Sequence, residues 1–200
     1  MTCIVCLLPI LLGISVWNKL PDSMAIHFDI NNNPDNYASK GFVVFGLPVL
    51  MMLFQLICCF FNDLNSDKYG ERGELELVSK WIIPSLSVIL QASTIWYALS
   101  KNIDVRKIVC LLLGIIFLLI GNCLLKYDYI KNRKNEIVST ESAKKINRFI
   151  GYETIALGIL NIISVFLPPI ASIICILLII PYAVSSIIYG IIIANKKPGN

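Results

Sequence analysis

One histidine, a few loop carboxylates, one carboxylate near an apolar run and seven cysteines are the reactive side chains this 200-residue chain has to offer. His27 stands two residues before Asp29 and eight before Asp35, in the segment LPDSMAIHFDINNNPDNYASK. An exposed imidazole beside a carboxylate can hold a partner, a metal or a proton. A lone histidine makes a weak metal site, so an ordinary hydrogen-bonded loop histidine is an equal reading. Cys3 and Cys6 have CxxC spacing but lie in an apolar run with no second pair, and small buried hydrophobes are the better reading. Glu153 is the one charge close to an apolar run; it is expected in the first turn of a helix, where the dipole favours a carboxylate. An intramembrane protease needs paired carboxylates, a Ser–His pair or HExxH, and a nucleotide-driven machine needs a phosphate loop. None of these can be assembled, so the expectation is a protein that is not an enzyme and needs no cofactor or metal.

The elements that must position these residues are apolar helices. Hydrophobic residues make up 56% of the chain and charged ones only 15%, with the charges gathered between long apolar runs. That layout predicts an all-α integral membrane protein with about six transmembrane helices. The runs cover about 1–17, 41–61, 81–99, 108–125, 149–167 and 170–194. Pro168-Pro169 forces a break, and Pro181 is expected to kink the last helix. With six crossings, the loops 62–80 and 126–148 and the tail fall on one side with 12 basic residues, against 5 on the other. The basic side is expected to be cytoplasmic, which puts both termini inside the cell membrane and loop 18–40 outside. The net charge of +4 is explained by basic residues next to anionic lipid, with no nucleic-acid partner.

Loop 18–40 has internal order. Ile26, Phe28 and Ile30 alternate with Ala25, His27 and Asp29, a period of two that predicts a short strand with one apolar face. Asn31 to Asn36 is dense in turn formers, and Lys40 is placed to reach the membrane interface. The expectation is a structured extracytoplasmic cap over the helix ends.

The residues LP-x4-IHF, NNNPD and Y-x2-K-G, followed by Leu47-Pro48, resemble the N-terminal part of the SdpI family. Those are bacterial membrane proteins whose founding member gives immunity to a secreted antibacterial peptide. Leu20, Pro21, Ile26, His27, Phe28, Pro34, Asp35, Tyr37 and Lys40 fit, while Ala25 and Asn33 stand where the family usually has proline and glycine. In the second half, Gly121-Asn122, Asn147-Arg148 and Gly151 look like the family's helix four and five segments, but IKNRKNEIVSTESAKK lacks its glycine-isoleucine-arginine-threonine stretch. The resemblance divides the chain into a two-helix unit, 1–62, and a four-helix part, 63–200. It implies toxin binding at the outer face, for which Pro21, His27, Phe28, Asp29, Asp35 and Lys40 are the candidates. It also implies a cytoplasmic repressor as a possible partner of loop 126–148.

Within the helices, Gly114 and Gly121, and Gly151 and Gly158, are spaced by seven and allow close helix approach. Gln91, Asn122 and Asn161 are polar residues in apolar surroundings, read first as interhelical glue. Were they to line one polar cavity, they would favour a second function, a permease component or accessory subunit for a small or lipidic substrate.

Overall fold

The structure is a computed structural model that describes residues 2–69, 74–126 and 140–195. Much of the basic loop 126–148, with its expected repressor contact, lies outside the described residues. The chain is mostly helical: α1 Thr2–Val5, α2 Leu8–Ser15, a hairpin of β1 Ser23–Phe28 and β2 Pro34–Ser39, then α3 Leu47–Tyr69, α4 Glu74–Ser100, α5 Val105–Lys126, α6 Thr140–Ser164, α7 Pro169–Leu177 and α8 Ile179–Ala194. Four stretches are long and apolar enough to cross a membrane: Phe42–Leu64, Glu74–Ser100, Val105–Lys126 and Pro169–Ala194. The chain is therefore a multi-pass membrane protein.

Two of the six expected runs fall short of that standard. Thr2–Ser15 is a shorter apolar helix, broken where Pro9 denies the second segment a backbone donor. Helix α6 begins with Glu141, Lys144, Lys145 and Arg148, so only its part from Phe149 onward is apolar. The expectation of an all-α chain is also corrected: the loop between the first two apolar runs is a two-stranded antiparallel sheet.

By its contacts the chain forms two compact units, Met1–Glu71 with Glu76–Leu112, and Arg72–Leu75 with Leu113–Asn200. In the first unit, the core is Leu20, Met24, Val43, Val44 and Ile95, packed around by Val16, Trp17, Ala38, Leu47 and Ala98. This core ties the hairpin base to the helices on either side of it.

The first unit also shows how a bilayer helix tolerates proline. Pro48 follows a π-helical turn, Phe42–Gly46, in which Leu47 N–H donates to the Phe42 carbonyl. The next acceptor in that series is the carbonyl of Val43, and Pro48 has no N–H to give it. Gln91 of α4 donates its side-chain amide to that carbonyl. The converse occurs in α4, where Pro84 leaves the Lys80 carbonyl without its donor. Gln55 of α3 donates to it at 2.8 Å, and to Thr2 Oγ1 at 3.1 Å. At the break between α1 and α2, Ser87 of α4 donates to the Cys6 carbonyl at 2.9 Å. Carbonyls freed by the helix breaks are met by side chains from neighbouring helices, as an apolar solvent requires.

In the second unit, α5 and α6 meet through glycines. A Cβ added at Gly158 would lie 2.8 Å from the Gly114 carbonyl oxygen, and one at Gly121 2.8 Å from that of Gly151. Both distances are shorter than a carbon–oxygen contact allows, so only glycine permits this approach.

Candidate functional site

The hairpin is built from its turn outward. The Asp29 carboxylate accepts the backbone N–H groups of Asn31 at 2.9 Å and Asn33 at 2.7 Å, and the Asn33 side-chain amide at 3.1 Å. These bonds, the Asn33 backbone N–H first, hold the Asp29 carboxyl below its ordinary value. Asn32 takes the left-handed conformation, φ 64°, which asparagine tolerates better than most residues. Its side chain donates to the Ile103 carbonyl and accepts from the Val105 N–H, both at 2.9 Å. The hairpin tip is thereby bonded to the segment that starts α5.

At the base, Lys40 closes the hairpin. Its ammonium donates to the Leu20 carbonyl at 3.3 Å, lies 3.3 Å from the Asp22 carboxylate and sits 4.7 Å above the Trp17 ring. The side chain is only 16% exposed, so it is held in the structure rather than reaching freely to the interface. Between base and tip, Phe28 meets Tyr97 of α4 edge-on at 4.7 Å.

The predicted alternation of β1 does not hold. Met24 and Ala25 are both buried, while Ile26 and Ile30 are exposed. The register runs from Ala25 opposite Tyr37 to His27 opposite Asn36, so Ile26 is the extra residue of a bulge, and a bulge resets which face each side chain takes. His27 consequently pairs with Asp35 rather than with its sequence neighbour Asp29: Nδ1 and Oδ1 are 2.6 Å apart, with both side chains largely in the open.

Between the hairpin and the end of α4 is a half-open pocket of about 380 Å³. Pro21 and Pro34 contribute to its wall, with Tyr37 and Tyr97, and Lys19 and Lys101 are the only charged residues that line it. Of the six loop candidates, only Pro21 lines this pocket; His27 and Asp35 form a separate exposed pair, and Asp29, Phe28 and Lys40 shape the hairpin. Sequence reasoning missed Lys19, Tyr37, Tyr97 and Lys101 as lining residues. The available signal was the position of Lys19, Tyr97 and Lys101 at the ends of apolar runs, where the lysines are read only as charge balance, and the fit of Tyr37 to the family pattern.

The remaining candidates lie elsewhere. Gln91 is buried and bonded to Val43, Asn161 is buried with its amide nitrogen donating to the Leu157 carbonyl at 2.9 Å, and Asn122 and Arg148 are exposed. Gln91 and Asn161 thus spend their amides on backbone carbonyls within their own units. Glu153 is corrected from a first-turn residue to one well inside α6, which begins at Thr140. Its carboxylate accepts from Ser185 and Ser186 of α8.

Residues 4–52 match the model of a family described as a domain of unknown function, DUF1648. That stretch is about a quarter of the chain and includes the whole hairpin, the π turn and Pro48. No curated protein matches the chain. No solved structure matches it either.

Proposed function

We propose that this chain is a non-enzymatic membrane immunity or resistance protein, which intercepts a membrane-active antibacterial peptide at the outer face through the hairpin cap. The observation that carries this reading is a hairpin fastened at tip, middle and base, with a pocket of about 380 Å³ beneath it whose largely apolar lining includes two tyrosines and two lysines. A loop that merely joined two helices would have no use for so many fixed contacts. The resemblance of residues 20–48 to the SdpI family supports the same reading. In this proposal the helices make six crossings, counting Thr2–Ser15 and the apolar part of α6, with both termini in the cytoplasm and the hairpin outside. The cell membrane and the secreted peptide are the partners, and a cytoplasmic repressor on loop 126–148 is a further one that the resemblance alone supports.

The test is survival. Expressed in a sensitive strain, the chain should protect against at least one of a panel of membrane-active peptides. Tyr97→Ala and the pair Lys19→Glu with Lys101→Glu should lower that protection at unchanged membrane abundance. Lack of protection across the panel, or full protection by all pocket variants, overturns the proposal. The permease reading has less support, because Gln91 and Asn161 are committed to backbone carbonyls.

A further inference from the structure

Around the hairpin, every carboxylate of segments 18–40 and 97–107 is committed. Asp22 pairs with Lys40, Asp29 holds the amides of Asn31 and Asn33, Asp35 pairs with His27, and Asp104 pairs with Arg106 and Lys107. Lys19 and Lys101 have no carboxylate partner among the described residues, and both line the pocket beneath the hairpin. Ser23, Tyr37 and Tyr97 line it too, and none of their hydroxyls is hydrogen-bonded to another described residue. The wall thus gathers two ammonium groups and three hydroxyls that can donate, with no carboxylate among them. That excess of donors suits an anion.

The backbone at Lys101 points the same way. This residue stands just past the end of α4 with φ 51°, and its N–H donates to the Tyr97 carbonyl at 2.8 Å. Glycine or asparagine is usual in that left-handed position, and lysine holds it at a cost. The helix dipole favours a cation in the last turn but gives no reason for this conformation. The turn that starts there brings Lys101 into the same wall as Lys19. Depth fits as well. The apolar part of α4, 81–99, is about long enough to cross a hydrocarbon core, which leaves Tyr97 and Lys101 at its headgroup end. Trp96 and Leu99 nearby on α4 are exposed, as residues facing acyl chains are.

We propose that this pocket binds the phosphate headgroup of an anionic phospholipid, one lipid per chain. Lys19 and Lys101 meet its charge, and the tyrosine and serine hydroxyls meet its oxygens. A zwitterionic headgroup suits the pocket less, because its own ammonium would face two lysines with no carboxylate to offset them. Both lysines are exposed, as they must be in a site that fills from the bilayer. The volume of about 380 Å³ is that of a small-molecule pocket, enough for a headgroup while the acyl chains stay in the bilayer. The site holds whichever leaflet the hairpin faces and whether or not the chain confers immunity. In the immunity reading, the headgroup is what an arriving peptide displaces.

The experiment titrates the purified full chain, in non-ionic detergent, with phosphatidylglycerol, phosphatidylcholine or inorganic phosphate. Bound molecules are counted by native mass spectrometry, and the melting temperature is followed in parallel. Phosphatidylglycerol should bind saturably, one per chain, and raise the melting temperature; phosphatidylcholine should bind at least about tenfold more weakly. Lys19→Gln with Lys101→Gln should weaken phosphatidylglycerol binding at least about tenfold. Lys107→Gln, in the same segment but outside the pocket, should not weaken it. Lys101→Gly suits the positive φ, so it should melt no lower than the unaltered chain without lipid and still bind phosphatidylglycerol more weakly. That variant decides the matter if the double variant fails to fold. Equal binding of the two lipids, undiminished binding by either lysine variant, or an equal shift from inorganic phosphate alone (a free-anion site) overturns the proposal.

Discussion

At the residue scale, Asp29 and Asn32 divide the work of holding the hairpin tip. Three donors favour the ionised form of Asp29 and depress its folded pKa. A depressed carboxyl contributes order that is complete above the ordinary aspartate value, about 4, and is lost as pH falls through the lower folded value. The Asn33 amide resonance should therefore be constant from neutral pH to about 4 and move only below it. Asp29→Asn should remove that transition, and an Asn33 amide already moving near neutral pH would contradict the assignment. Asn32 is tied to Ile103 and Val105, so Asn32→Ala deprives a carbonyl and an N–H of their partners and also strains the backbone. The expected loss is about 1–3 kcal/mol in denaturant unfolding. Asn32→Gly suits the positive φ but still lacks both bonds, so most of the loss should persist in it. If glycine restored full stability, the bonds would count for little.

At the element scale, α3 and α4 are locked by an exchange of prolines and glutamines. Pro84 of α4 leaves the Lys80 carbonyl for Gln55 of α3, and Pro48 of α3 leaves the Val43 carbonyl for Gln91 of α4. Gln55→Leu should cost about 1–3 kcal/mol, the price of an unpaired buried carbonyl. Adding Pro84→Ala should recover much of that loss, because alanine restores the helix's own N–H to Lys80. Unfolding of the two single variants and the double variant closes the cycle. Simple additivity would show that the proline and the glutamine are not coupled through that carbonyl. The glutamines could be noted in the sequence as polar residues in apolar runs. Which carbonyl each one serves depends on where the other helix places its proline, and no spacing within one helix carries that information.

At the scale of the whole molecule, the proposed orientation rests on the excess of lysine and arginine in alternate loops. A cysteine at position 27, in a chain whose native cysteines have been replaced, should react with a membrane-impermeant maleimide added to intact cells. Labelling only after the cells are broken open would place the hairpin inside and end the case for an outward-facing cap. The excess survives the shortening of the two expected runs: residues 1–17 carry no lysine or arginine, so losing the first crossing moves no basic loop, and losing that of α6 moves only the tail, leaving 10 basic residues against 7. The same assay at position 102, in the loop between α4 and α5, is a control, since the two long apolar helices between them put it on the same side as position 27.

Composition alone was enough to show a membrane protein with long helices near residues 42–64, 74–100, 105–126 and 169–194, because insertion into a bilayer depends on the apolar content of each segment taken locally. The order of the 18–40 loop was also legible from its turn formers and its alternation, but the face of the strand was not, since the bulge at Ile26 arises only from pairing with a second strand. The tertiary structure alone decided which groups meet: Asp35 with His27, the Lys80 carbonyl with Gln55 across 25 positions, and Ser185 with Glu153 across 32. A hydrogen bond requires two atoms within about 3 Å, and across separate helices that distance is set by packing, which no local pattern of residues encodes.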